Sequence, residues 1–420
     1  MTRKSGYALL SAMVALIVAL SAAIYVGVAA DDGSTHKRTT VTQGAEPGTE
    51  TEGMAGRSVR NVVHASISGT SARITLSNLY GQSPLTVTHA SIAVAAGSDT
   101  AAATAETMRR LTFGGNTTVV VPAGGQVMSD AVRIAIAHGS DVLVTTYSPT
   151  GSGPVTYHPH ARQISYAADG DLTEDVTGTA YTEQTPYWRY LTALDVLSNE
   201  SDGTVVVLGD SLTDGITSTE GANHRWTDVL SDRLRTAVEA GRDLPRYSVV
   251  NQGISGNQVL ANGLGRPADN QSGLGRFGRD VLGRTNVKVV VIDLGVNDIL
   301  RNPALADPDK ILDGLRTMVR QAHSRGIKVV GATLMPFQGH RGYTGAREDV
   351  RQRINAAIRD GKVYDAVVDF DEALRDPYNP RRLRSDYDSG DRLHPSDKGY
   401  ARMAEVFDLE DLKGSAPARL

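Results

Sequence analysis

At 420 residues the chain is long enough to bury two separate cores. Its formal net charge of −4, with Lys and Arg interspersed among Asp and Glu, leaves no basic face for nucleic acid or another polyanion. Cysteine is absent, which excludes disulfides, thiolate metal sites, a cysteine nucleophile and a lipid-modified cysteine.

Arg3 and Lys4 precede an uncharged apolar run from Tyr7 to Ala30, which stops just before Asp31 and Asp32. Val28 and Ala30 fit the small-residue pattern of a signal-peptidase site, and the run is also long enough to span a bilayer. Residues 1–30 are therefore expected to serve as a signal peptide or as a transmembrane signal anchor, with the remainder secreted or held outside the cytoplasm. Residues 31–57, rich in Thr, Glu, Gly and Ser, read as a flexible linker.

Between residues 58 and 199 short alternating segments are punctuated by Gly, Pro, Asn and Asp. In "ARITLSN", Arg73 and Thr75 are predicted to face water while Ile74 and Leu76 face a core, and "TVVVP", "VRIAIA" and "VLVTTYSP" repeat the theme. The expectation is an all-β sandwich of jelly-roll-like character. His158 and His160 lie close together here, but no third ligand and no HExxH pattern accompanies them, so a surface turn is expected and no metal site.

From residue 200 to 413 the apolar runs "TVVVL", "YSVVN", "VKVVVIDLG", "IKVVGATL" and "AVVDF" alternate with helical segments, the pattern of a parallel sheet covered by helices on both faces. Asp307 and Pro308 open one helix, closed by Gly326; a second carries Val350, Ile354 and Ile358 and is closed by Gly361. Trp226 shares a helical face with Val229, Leu230 and Leu234 and is assigned to the core. The Gly-rich segment from Leu260 to Gly283, with Arg266, Arg276 and Arg279, reads either as a substrate rim or as an ordered surface loop. Residues 414–420 form a tail.

Ligands of open parallel sheets sit beyond the carboxyl ends of the strands. Those ends deliver Gly209-Asp210-Ser211, "NQGISGN" from Asn251, "GVND" from Gly295, and later "SGDRLHP" with Asp391 three residues before His394. Taken singly, Ser211 is a helix N-cap, the glycines serve turns and a lone histidine is structural. Together they supply a nucleophile, backbone donors, an amide and an acid–histidine pair. Asp210, beside the nucleophile, is read as binding backbone around the turn, and Asp388, then Asp386, are rivals to Asp391.

In this order, "GDSLTDG", "NQGISG", "GVND" and "DRLHP" resemble the four signature blocks of the SGNH, or GDSL, hydrolases. The resemblance implies a three-layer, flavodoxin-like α/β domain following the β-rich region. It matches Ser211 to the nucleophile, His394 to the base and Asp391 to the acid, with Ser211, Gly256 and Asn297 forming the oxyanion hole. Such chemistry needs no metal and no cofactor, since neutral imidazole activates the serine and preset donors meet the developing charge. "RFGRDVL" and "YDSGDRLHP" further resemble a secreted bacterial subgroup with a β-rich domain in front, some of whose relatives act on polysaccharide esters. The expected activity is hydrolysis of carboxylic esters, with short acyl groups such as acetyl on carbohydrate leading. Acyl transfer by the same triad and a glycan-binding protein with an inert hydrolase domain stand as alternatives, and the oligomeric state is left open.

Overall fold

The computed structural model describes residues 37–48, 50, 52–263, 270–302 and 304–416. The apolar run expected to direct export, at residues 1–30, lies outside them. Among the described residues no helix is long and apolar enough to cross a membrane.

The first half is built around two large antiparallel sheets, with a three-stranded sheet that includes Thr156–His158 and a two-stranded ribbon beside them. One large sheet orders Lys37–Thr42, Leu191–Leu197, Gly69–Ser77 and Val132–Ile136; the other orders Glu183–Thr185, Ser165–Asp169, Arg57–His64, Asp141–Ser148, His89–Val94 and Arg109–Arg110. Ile74, Leu76, Leu194 and Val196 of the first meet Val59, Val63, Val142 and Val144 of the second in one buried cluster, so the sheets form a sandwich. Alternation along the strands sends Val62 and Leu143 to the opposite face, where a smaller cluster with Tyr166 and Tyr181 covers them.

Two expectations are corrected here. The segment read as a linker is strand from Lys37: Lys37–Thr42 pairs with Leu191–Leu197, and Glu46–Pro47 pairs with Thr156–His158. Its run of threonines looked solvated, but Thr39, Thr40 and Thr42 are buried: the Thr39 and Thr42 hydroxyls find partners across the boundary with the second half, at Thr285 and Asn251, and the Thr40 hydroxyl donates to the Ile67 carbonyl within the first. Thr75 is buried rather than facing water, since the outer side of its sheet also meets the second half: neighbouring Asp195 accepts a hydrogen bond from the Thr285 hydroxyl.

The second half is a five-stranded parallel sheet. Its strands are β1 (Gly203–Gly209), β2 (Tyr247–Gly253), β3 (Val287–Asp293), β4 (Lys328–Ala332) and β5 (Ala366–Val368), in the order β2-β1-β3-β4-β5. Both faces of these strands are covered, which is why Val205 to Leu208 and Val289 to Ile292 read as unbroken apolar runs and are buried throughout. The main flanking helices are α2 (Trp226–Glu239), α5 (Pro308–His323), α6 (Gly345–Arg359) and α8 (Asp397–Val406); α2 packs on α8 and α5 on α6, completing three layers. Shorter helices α1 (Ser211–Asp214), α3 (Gly273–Phe277), α4 (Val296–Leu300) and α7 (Phe370–Leu374) follow strands or cross the ends. The strand order changes direction at β1, so the segments leaving β1 and β3 diverge and open a crevice at the carboxyl edge.

Trp226 is fully buried at the start of α2 and meets the Phe370 ring edge-on at 5.4 Å. Truncating it removes a large side chain from a packed core. Trp226→Ala is expected to lower the stability of the second half by about 3 to 5 kcal/mol, read as a reduced denaturant midpoint of its unfolding transition.

Candidate active site

β1 runs into Asp210, whose side chain caps α1 by accepting the Leu212 N–H at 3.0 Å, so Ser211 becomes the first residue of a four-residue helix. Gly215 ends that helix in the left-handed region, at φ +89°, returning its N–H to the Ser211 carbonyl. The chain thereby turns sharply and holds the Ser211 hydroxyl at the sheet edge, 7 % exposed.

The His394 imidazole meets this hydroxyl from a separate loop. His394 Nε2 lies 2.9 Å from Ser211 Oγ, and His394 Nδ1 lies 2.6 Å from Asp391 Oδ2. Asp391 Oδ1 accepts the N–H groups of Leu393 (2.9 Å) and His394 (2.8 Å), so the carboxylate and imidazole are fixed on one turn. Burial works against the charge of Asp391, but the His394 side chain and these N–H groups hold it well below the usual carboxylate range. The rivals are engaged elsewhere. Asp388 closes the loop by accepting from the N–H groups of Gly390 and Arg392 and the Arg392 guanidinium, and Asp386 pairs with Lys398 and Arg384. Thr217 Oγ1 to the Pro395 carbonyl, and Tyr400 OH to the Ile216 carbonyl, bind the His394 loop to the segment after α1.

The other two residues assigned to the oxyanion hole stand on the next strand ends. Gly256 lies in the loop after β2 at φ +79°, where a side chain would be strained and would strike the Arg301 guanidinium. Its N–H is buried and finds no protein acceptor among the described residues. Asn297 lies on α4, directly after β3. Its Nδ2 donates to Asp210 Oδ2 at 3.0 Å and its Oδ1 accepts from Arg301 Nε at 3.0 Å, so the amide cannot flip and one Nδ2 hydrogen is left to point elsewhere. Asp298 on the same helix accepts the N–H groups of Val259 (2.8 Å) and Leu260 (3.1 Å), tying α4 to the Gly256 loop.

Some assignments change. Asp210 does bind backbone, as expected, and it also orients Asn297. His158 is not on a surface turn: it is 1 % exposed, at the boundary between the halves, with Nε2 2.8 Å from Asp214 Oδ1. The segment 260–283 is divided. Arg266 lies outside the described residues, while Arg276 is fully buried and donates to the carbonyls of Gly209 and Gln252, which removes it from any substrate rim. Arg301, Asp214 and His158 carried no role in the sequence reading, because no local pattern marks a side chain that acts across two loops or two domains. Among the described residues no group of three or more His, Asp or Glu side chains is placed to hold a metal ion.

Arg301 lies over Gly256, and the Arg392 side chain packs on Gly339. Burial lowers the pKa of His340; Asp391 opposes that shift, while Arg341, His394 and Arg301 add to it.

Across residues 207–402 the chain matches the GDSL-like Lipase/Acylhydrolase family. No curated protein matches. Among solved structures, similarity extends to a lipolytic protein of the G-D-S-L family from Desulfitobacterium hafniense, at 23% identity over 48% of this chain and 96% of that one, with a TM-score of 0.37. A GDSL-like lipase from Bacteroides thetaiotaomicron is 22% identical over 48% of this chain and 84% of its own, with a TM-score of 0.34. An acetyl xylan esterase is 20% identical over 48% and 96%, with a TM-score of 0.35.

Two buried carboxyls near the site, Asp210 and Asp293, act on each other. Burial and the neighbouring Asp293 charge push Asp210 well above the usual range, and burial lifts Asp293 to about 6. An acid whose folded pKa is raised stabilises the fold below its unfolded pKa of about 4, and that stability is lost as pH rises to the folded value. Asp293→Asn keeps an acceptor for Thr213 but removes the penalty of ionisation. Between pH 4 and pH 6.5 the variant is expected to gain stability relative to the native chain, measured by denaturant unfolding at the two pH values; an unchanged difference would show that Asp293 ionises normally.

Proposed function

With residues 207–402 forming a GDSL-like lipase/acylhydrolase domain, we propose that the protein is an exported serine esterase that removes short acyl groups, acetyl foremost, from carbohydrate. The observation that carries the reading is the continuous hydrogen-bonded line from Asp391 through His394 to Ser211, with Gly256 and Asn297 on the strand ends beside it. His394 Nε2 accepts the Ser211 proton as Oγ attacks the ester carbonyl; Asp391 holds the imidazole in the required tautomer and stabilises its cation. The N–H groups of Ser211 and Gly256 and the Asn297 amide receive the negative oxygen of the tetrahedral intermediate. Collapse breaks the ester C–O bond, and His394 returns the proton to the departing alcohol. Water then repeats the sequence on the acyl-enzyme, with His394 again as base.

Support for a polar alcohol comes from the Arg301 guanidinium, which lies against Gly256 and bonds Asn297. Export rests on the composition of residues 1–30, which fits a leader or a membrane anchor.

Ser211→Ala removes one hydroxyl from a small site and should leave the thermal midpoint nearly unchanged. It should cut ester turnover by about a thousandfold or more and abolish covalent labelling by a fluorophosphonate. The substrate class is tested with the native chain on acetylated sugars, aryl esters of graded chain length and phospholipids, following free acid. Preference for long acyl chains, or labelling that survives at another serine, contradicts the reading.

Asn297→Ala deletes a donor that acts mainly once charge has developed. The expected result is a fall in kcat of about a hundredfold to a thousandfold with a smaller change in KM, resolved by steady-state kinetics on one short-chain ester.

A further inference from the structure

The last residue of the nucleophile helix, Asp214, is completely buried, and its two carboxylate oxygens face different parts of the molecule. Oδ2 accepts both the N–H of Ser255, at 3.0 Å, and its hydroxyl, at 2.5 Å. Ser255 immediately precedes Gly256. Oδ1 meets His158 Nε2 at 2.8 Å, and His158 belongs to the sandwich, on the short strand Thr156–His158. The other ring nitrogen, Nδ1, is 2.8 Å from the Gly44 carbonyl. A carbonyl only accepts, so Nδ1 carries a proton and Nε2 is directed at the carboxylate. Glu46, also buried, places an oxygen 3.9 Å from Nδ1. Burial opposes a charge on His158, yet Asp214, then Glu46, outweigh it and raise the pKa of this imidazole, while Asp214 is held below its usual range.

A buried ion pair between two domains is costly to assemble and is weak evidence for stability. What it does supply is direction. Asp214 is three residues from Ser211 on one helical turn and is bonded to the residue before Gly256, so a shift of its carboxylate moves the attacking oxygen and an oxyanion donor together. From this geometry we propose that His158 is a positioning residue: through Asp214 the sandwich sets the placement of Ser211 relative to Gly256. The sandwich is then part of the catalytic apparatus and not a detachable module. This rests on the esterase reading of Ser211.

The test uses the full chain and reads three quantities: kcat and KM on a short-chain aryl ester, the rate of fluorophosphonate labelling at Ser211, and the thermal midpoint. His158→Phe fills the space without a donor. It is expected to lower kcat by about tenfold to a hundredfold with KM within about threefold, and to slow labelling in parallel, as displacement of a reacting group by a fraction of an ångström does. His158→Gln, which keeps an N–H within reach of Asp214, should recover most of both rates. Ser255→Ala removes only the hydroxyl contact and should give a smaller fall of the same kind, which keeps the proposal testable should His158→Phe not fold. Gln163→Ala breaks a different bond across the boundary, to Asn223, and serves as the control: it should change the midpoint but not kcat. Native-like kcat and labelling in a folded His158→Phe, or in Ser255→Ala when His158→Phe is unfolded, overturn the proposal. So does an equal loss of kcat in Gln163→Ala. If the native chain itself neither turns over esters nor labels, the esterase reading has failed instead.

Discussion

One guanidinium holds the carboxyl ends of β1 and β2 at a fixed separation. Arg276, fully buried, donates to the Gly209 carbonyl at 2.9 Å, the Gln252 carbonyl at 2.7 Å and Asn257 Oδ1 at 3.0 Å, and its charge is met by Asp280 at 3.1 Å. The Gly209 carbonyl also accepts the Ile254 N–H at 3.1 Å, so backbone and side chain hold this strand end together. Arg276 bridges the Gly209 and Gln252 carbonyls with a rigid planar fork, which fixes the distance between the segment bearing Ser211 and the loop bearing Gly256. Asp280 is itself surrounded by Arg276, Arg279 and Arg284. Burial disfavours its charge, but the three guanidinium groups hold it well below the usual carboxylate range.

The halves of the molecule join through polar contacts more than through a shared apolar core. Their large buried clusters are separate, and the boundary is stitched by Thr42 to the Asn251 carbonyl, Thr285 to Asp195, Asn270 to Glu46 and Gln163 to Asn223. Hydrogen bonds of this kind demand a particular alignment, whereas apolar surfaces tolerate sliding. The sandwich is therefore held against the hydrolase domain in one orientation.

Much of this was legible in the sequence where the physics is local. The parallel strands announce themselves because burial on both faces leaves unbroken apolar runs such as Val205 to Leu208 and Val289 to Ile292, and Asp307 with Pro308 starts α5 as its capping chemistry requires. The pairing of Asp391 with His394 was also readable, because a carboxylate three residues before a histidine can accept both its ring N–H and its backbone N–H. What stayed hidden depends on distant partners. Thr39 and Thr42 look like a solvated linker until the surface that buries them is known. His158 carries no mark of its carboxylate, which lies 56 residues further on. Arg276 sits in a Gly-rich stretch that suggests exposure, and no sequence pattern displays the partners that bury it, the Gly209 and Gln252 carbonyls, Asn257 and Asp280.

The strand Lys37–Thr42 pairs with Leu191–Leu197, the last strand of the sandwich, and lies against β2 of the following domain. Chain emerging from a ribosome or a membrane pore in N-to-C order thus presents an early strand whose pairing edge is made only some 150 residues later. Until then this threonine-rich segment has no sheet to join, and its polarity keeps it soluble while it waits. Contacts of such long range are slow to form, since a large loop must close before any pairing energy is gained. Closing that strand finishes its sheet and completes the surface against which β2 of the hydrolase domain lies, so one non-local pairing serves both halves.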